Sequence, residues 1–265
     1  MIVTKKSAAD EWLVCPRPNP GARLRLFCFP YAGGKALTYK PWPEGLPAAV
    51  EVWAVRPPGV FGGPRRRPFT SLAPMVEEVA AVIRPSLDKP FAFFGHSMGA
   101  LFGFELARLL RRSGGPSPVH LFASGRRAPQ IPDTLPPTYN LPDAEFLEEL
   151  RRLNGTPREV LEHPELLELM IPHLRADFEV VQTYVYAEGP PLDIPISAYG
   201  GLEDEEVSVE DLEGWREQTT AAFSLRMFPG DHFFIETARP LLLGRLSEEL
   251  SRLHLGGAPG RGFGS

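Results

Sequence analysis

A serine bracketed by glycines, Gly95-His96-Ser97-Met98-Gly99, stands where a short apolar run gives way to a helical pattern. A Gly-x-Ser-x-Gly turn between strand and helix strains the serine backbone so that its hydroxyl stands clear of the sheet. Side chains at positions 95 and 99 would collide at such a turn, so both are glycine. The N-terminus of the following helix favours developing negative charge. The amide of Met98 would point at that charge. The chemistry implied is nucleophilic attack on an acyl group, with an oxyanion to be held.

A serine hydroxyl is a weak nucleophile without a histidine base, and the histidine needs an orienting carboxylate. In this architecture the chain order is serine, acid, histidine. His232, in "PGDHFFIETARP", follows the last predicted strand and precedes the last helix, where the base belongs. His163 and His173 fall in a helical block and read as surface or covering residues, and His254 follows the last helix and reads as solvated. His96, inside the turn, would wall the pocket with Tyr31 and Phe233. The acid should follow the strand "PISAYGG", where Glu203, Asp204, Glu205 and Glu206 compete. The spacing Gly201-x-x-Asp204-x-x-Val207 favours Asp204, with Glu203 as runner-up. A second oxyanion donor should come from the loop after the first predicted strand. "CFPYAGG" supplies Gly33 and Gly34 for close approach, the amide of Ala32 as donor, and Tyr31 at the mouth.

Six apolar runs predict the strands that position these groups: 23–29, 50–56, 91–95, 119–125, 195–201 and 224–230. Several are apolar almost throughout, as strands buried on both faces should be. Helical patterns lie between them; one carries Leu72, Met75, Val76, Val79 and Val82 at helical spacing. Alternating strands and helices predict an α/β fold with a mostly parallel sheet covered on both sides. From 128 to 187 the alternation stops, and three helical patterns follow one another. The first opens on Asp143 as N-cap with acid in its first turn; the second on Thr156 then Pro157; the third begins at Pro172. This block reads as a lid inserted between the fourth and fifth predicted parallel strands of one domain spanning 1–255. The tail 256–265, rich in glycine, reads as disordered.

With 265 residues, 43% hydrophobic and 23% charged, the composition is that of an ordinary globular domain with a sizeable core. A net charge of −5 argues against a nucleic-acid partner. Arg65-Arg66-Arg67 is a local basic cluster, read first as a solvated loop. No segment is long and apolar enough to span a bilayer, and the N-terminus lacks the apolar core of a signal peptide. Two cysteines, Cys15 and Cys28, are too few for a disulfide framework, so a cytoplasmic location is expected.

Together "LFCFPYAGG", "FGHSMGALFGFELA", "LFASGRRAP", "LPDAEFLEELRRLNGTP", "MIPHLRADFEVVQTY" and "FPGDHFFI" resemble successive blocks of the type II thioesterases. These are the stand-alone editing enzymes of polyketide and nonribosomal peptide synthesis. The resemblance runs from about residue 25 to 253. It implies an α/β-hydrolase fold with a mobile helical lid. The implied substrate is an acyl or aminoacyl group on the phosphopantetheine arm of an acyl or peptidyl carrier protein. It implies Ser97 as nucleophile, Asp204 as acid, His232 as base, and Ala32 and Met98 as oxyanion donors. No metal or bound cofactor is implied, since phosphopantetheine arrives with the substrate, and a monomer is expected. The sequence departs from the family where Val60 follows Pro58-Gly59, where Glu205 follows the acid in place of a frequent proline, and where Asp231 precedes the histidine in place of a frequent glycine. The arginine cluster would attract an acidic carrier. A small-molecule carboxylesterase, an acyltransferase and a non-catalytic binding module are the rival functions on the same fold.

Overall fold

The computed structural model describes residues 11–57, 67–155, 160 and 162–255. The N-terminal ten residues, Pro58–Gly59–Val60, Arg65 and Arg66, the Thr156–Pro157 helix start, the tail from Gly256 and the His254 side chain lie outside the described residues. In chain order the elements are β1 (Leu13–Val14), β2 (Leu24–Phe29), β3 (Val50–Val55), α1 (Leu72–Ile83), β4 (Phe91–His96), α2 (Met98–Arg112) and β5 (Leu121–Ser124). Then come α3 (Asp143–Leu153), α4 (Pro164–Gln182), β6 (Ile196–Gly201), α5 (Val209–Glu213), β7 (Phe223–Phe228), α6 (Phe234–Thr237) and α7 (Arg239–Leu255). The sheet order is β1-β3-β2-β4-β5-β6-β7, parallel except for β1, which runs antiparallel to β3.

Successive strand residues point to opposite faces, and here both faces are apolar. Phe27, Phe29, Phe91 and Phe93 join α1 and α2 in one core; Leu26, Cys28, Ala92 and Phe94 join Tyr39, Trp42 and α7 in the other. All six residues of β4 are buried, so the strand that delivers Ser97 is packed from both sides. The edge strand β1 was not among the expected strands. Two residues with no repeat of the alternation give no period to detect, and only the pairing of Leu13 with Val55 and of Val14 with Ala54 defines it.

Among the described residues between β5 and β6, the third pattern does not open a new helix at Pro172: residues 164–171 of the second pattern and the third pattern form one helix, α4, running through Pro172. An interior proline removes the bond to the Glu168 carbonyl and costs about 3 kcal/mol. The helix continues because Leu167, Met170, Leu174 and Val180 keep one buried stripe on both sides of the proline. Helix α3 answers with Phe146 and Leu150, which pack on Met170 and Leu174 as a small separate core. Asp143 does not cap α3; it is the first helical residue after Pro142, and its carboxylate takes Arg175 of α4 at 2.7 Å. Beyond Thr183 the helical pattern fails. Tyr184 bonds Glu105, and Arg108 and Arg111 of α2 catch the carbonyls of Ala187, Pro190 and Pro191, which ties this irregular segment to α2.

Candidate active site

Ser97 lies between β4 and α2 with φ 52° and ψ −115°, a left-handed backbone that a serine adopts only under constraint. The glycines explain the constraint. A Cβ on Gly95 would stand 1.9 Å from the Gly99 carbonyl oxygen, and a Cβ on Gly99 would stand 2.0 Å from that of Phe29. The turn therefore folds back on its own backbone and on the end of β2. The Ser97 N–H donates to the Ser124 carbonyl at 2.8 Å, which ties the turn to β5.

The loops after β6 and β7 bring the other two groups together. His232 Nδ1 lies 2.8 Å from Asp204 Oδ2, and the Asp204 side chain is wholly buried. A carboxylate only accepts, so Nδ1 carries the proton and Nε2 keeps its lone pair. Asp204 Oδ1 accepts the N–H groups of Glu206 at 2.9 Å and Val207 at 3.2 Å. These bonds fix the carboxylate and explain why the buried Val207 must follow three residues on. Asp231, the departure from the family's usual glycine, has a local use: its Oδ1 accepts the Phe233 N–H at 2.8 Å. Its Oδ2 takes the Asn154 amide at 3.3 Å, joining the histidine loop to the end of α3.

His96 takes a different place from the one its position suggested. It does not wall the pocket. It is fully buried beneath it, with Nε2 2.9 Å from the His232 carbonyl and Nδ1 2.9 Å from Ser124 Oγ. The carbonyl requires Nε2–H, so the neutral ring accepts the serine hydroxyl at Nδ1. Burial, followed by the neighbouring His232, holds its pKa well below the usual imidazole range, which keeps it neutral. His96 thus anchors the backbone of His232 instead of meeting a substrate.

Ser97, His232, Tyr31, Phe233 and Ala32 line one cavity of about 190 Å³, roofed by Leu150 of α3 and by Leu174 and Phe178 of α4. Arg126 also lines it; burial pushes its guanidinium down to about 10, and Trp215 Nε1 holds its carbonyl at 2.8 Å. Met98 opens α2, so its amide is one of the first-turn donors that the helix itself leaves without a carbonyl. On the facing loop, Gly34 N–H closes a turn on the Tyr31 carbonyl at 2.8 Å, with Gly33 left-handed at φ 73°. That is a type II turn, which wants glycine at its third position.

Across this loop lies a second cavity of about 410 Å³, lined by Gly33, Lys35, Lys40, Arg56, His173 and Asp177 among others. Asp177, on α4, is a carboxylate in the apolar stripe of that helix, three residues after Leu174. Burial pushes it up to about 7, and only the Gly33 N–H pulls the other way. A carboxyl raised by folding supports stability below its unfolded value near 3.8 and loses that support as pH rises through about 7. His173, Lys35, Lys40 and Arg56 face the same cavity. The expected result is that the melting temperature of Asp177→Asn, minus that of wild type, grows as pH is raised from 4 to 8.5. A pH-independent difference in thermal melts would contradict it.

The sheet, the strained serine turn and the His–Asp pair define an enzyme of the α/β-hydrolase class. Comparison with known proteins makes this narrower. The thioesterase domain family matches residues 24–250. The chain is 45% identical over 244 residues to the gramicidin S biosynthesis protein GrsT of Aneurinibacillus migulanus, covering 92% of this chain and 95% of that one. RedJ, a thioesterase from the prodiginine pathway of Streptomyces coelicolor, superposes with a TM-score of 0.81 at 38% identity, over 88% of this chain and 97% of its own. BorB, the type II thioesterase of the borrelidin cluster, superposes with a TM-score of 0.83 at 35% identity, over 93% and 99%. The chain belongs to the thioesterase domain family and is a hydrolase of thioesters. Among the described residues no helix is long and apolar enough to cross a membrane.

Proposed function

We propose that this thioesterase releases acyl or aminoacyl groups from the phosphopantetheine arms of carrier proteins on a polyketide or nonribosomal peptide assembly line. The juxtaposition of Ser97 with the Asp204–His232 pair, under the roof of α3 and α4, carries the reading. The biosynthetic names of the similar proteins support the carrier as substrate. His232 Nε2 takes the Ser97 hydroxyl proton, and Oγ attacks the thioester carbonyl carbon. The carbonyl electron pair moves to oxygen, which the Ala32 and Met98 amides receive. Collapse breaks the C–S bond, and His232 returns the proton to the leaving thiol. Water then loses a proton to His232 and attacks the acyl-serine; the acid leaves, and Ser97 regains its proton. Asp204 holds Nδ1–H throughout, so Nε2 alone exchanges protons.

No step calls for a resident cofactor; pantetheine belongs to the substrate. Ser97, Asp204, His232, Ala32 and Met98 all belong to one chain, so a single copy supplies every group the proposed reaction uses. The free thiols of Cys15 and Cys28 support a reducing, cytoplasmic setting. The test compares one acyl group on a holo-carrier and on N-acetylcysteamine. Remote contacts to the carrier should raise kcat/KM at least tenfold, about 1.4 kcal/mol. Equal values would remove the carrier from the reading. Preference for an oxygen ester would favour a carboxylesterase, and product acylated on an amine or alcohol an acyltransferase.

A further inference from the structure

Helix α4 meets Gly33, in the turn that carries the Ala32 amide, twice. Asp177 Oδ2 accepts the Gly33 N–H at 2.8 Å. One turn of helix earlier, Leu174 packs on the same glycine so closely that a Cβ there would stand 2.4 Å from Leu174 Cδ2. Gly33 is left-handed at φ 73°, so the glycine serves both the turn and the helix that rests on it. The Ala32 and Gly33 amides sit on consecutive peptide units, separated by a single Cα. A displacement of one is transmitted directly to the other, and an oxyanion donor acts only if its N–H lies within about 2.7–3.1 Å of the developing charge.

Asp177 is costly to keep where it is. Leu167, Met170 and Leu174 make the rest of its stripe apolar, and the carboxylate, part-buried at the edge of that stripe, gives up part of its water. Its side chain has the Gly33 N–H as its hydrogen-bond partner among the described residues. What the carboxylate adds is an acceptor for one backbone amide in the turn that holds the oxyanion donor.

We propose that Asp177 is a positioning residue for the reaction: from the covering helix it holds the Gly33 amide and thereby aims the Ala32 N–H, so that the oxyanion site is complete when α4 is seated. The inference rests on Ser97 and Ala32 having the roles given above. It links the cover over the cavity to the chemical step without touching substrate.

Two replacements separate positioning from packing. Asp177→Leu keeps the volume and cannot accept; Asp177→Asn accepts through its amide oxygen without charge. With a short-chain acyl N-acetylcysteamine thioester, Asp177→Leu is expected to lower kcat about 10- to 100-fold, less than outright loss of an oxyanion donor, with KM changed less than about twofold. Its affinity for a trifluoromethyl ketone thioether, which forms an oxyanion on Ser97, should fall by the same factor as kcat/KM. Asp177→Asn should restore both. Asp177→Ala serves if the leucine variant does not fold. Wild-type kcat in Asp177→Leu, or an asparagine variant as impaired as the leucine one, overturns the inference. Ser97→Ala in the same assay tells the two levels apart. Hydrolysis surviving it overturns both the nucleophile and this inference; a dead Ser97→Ala beside an unimpaired Asp177→Leu overturns this inference alone.

Discussion

Ser97→Ala is expected to reduce thioester hydrolysis by about six orders of magnitude in kcat while leaving the fold intact. Loss of the nucleophile in a triad of this kind costs about 2 × 10⁶, because serine and histidine act as one unit. The residual rate over water, about 10³–10⁴, belongs to binding and the oxyanion amides. The fold should survive because Ser97 contributes its backbone, not its hydroxyl, to the turn: the N–H bonds Ser124, and the carbonyl accepts from Ala100 at 3.0 Å. Asp204→Asn should cost less, about 10⁴ in kcat. Asparagine can present its amide NH₂ to Nδ1, which leaves the proton on Nε2, where the base must be empty. Asp204 Oδ1 also anchors two backbone amides, so the carboxylate and amide variants should melt alike if the asparagine oxygen takes that place. Steady-state rates and thermal melts of both variants check this. Hydrolysis by Ser97→Ala within tenfold of wild type would sink the assignment.

Gly99→Ala is the second large effect, and its origin is steric. The methyl group would meet the Phe29 carbonyl at 2.0 Å, with its carbon at 2.6 Å and the Pro30 carbonyl at 2.9 Å. All are backbone atoms of the buried β2 end, where the Phe29 carbonyl also accepts the Tyr39 hydroxyl at 2.8 Å. No side chain can rotate away, so β2 and α2 must separate. Overpacking of a rigid site costs about 1–3 kcal/mol, and more where backbone must move. The displaced segment carries both Ser97 and the Met98 amide, so activity should fall together with the urea midpoint. Gly244→Ala is the matched control. Gly244 is exposed in α7 with nothing within 4 Å of the added methyl. There alanine should stabilise by about 0.5–1 kcal/mol through backbone entropy alone. Equal effects at the two positions in urea titrations would contradict the close approach at Gly99.

Local pattern carried much of this site. The serine turn is a five-residue signal, and Asp204 and His232, which the structure pairs, were legible because each follows a strand whose apolar run is visible. What stayed hidden depended on contacts far along the chain. Gly33 and Asp177 are 144 residues apart, and no local rule pairs them. A trace existed, since Asp177 interrupts an apolar stripe at helical spacing, but an interruption does not name its partner. His96 showed the opposite failure. Its place inside the turn suggested the pocket wall, whereas β4 turns it inward to the His232 carbonyl, 136 residues away. Pro172 misled for a third reason. Its local penalty is real, but the stripe shared with α3 outweighs it, and that stripe is a property of two helices together. The cluster Arg65–Arg67 has only Arg67 within the described residues.

The proposed reaction passes through an acyl group on Ser97 Oγ. Mass spectrometry of intact enzyme, quenched in acid during turnover of an acyl-carrier thioester, tests it most directly. The expected result is a mass increase equal to one acyl group, mapped to the peptide containing Gly95–Gly99, in wild type and more strongly in His232→Ala loaded slowly with a reactive thioester. Ser97→Ala should show none. Acyl mass on another residue, or undiminished labelling of Ser97→Ala, would contradict it.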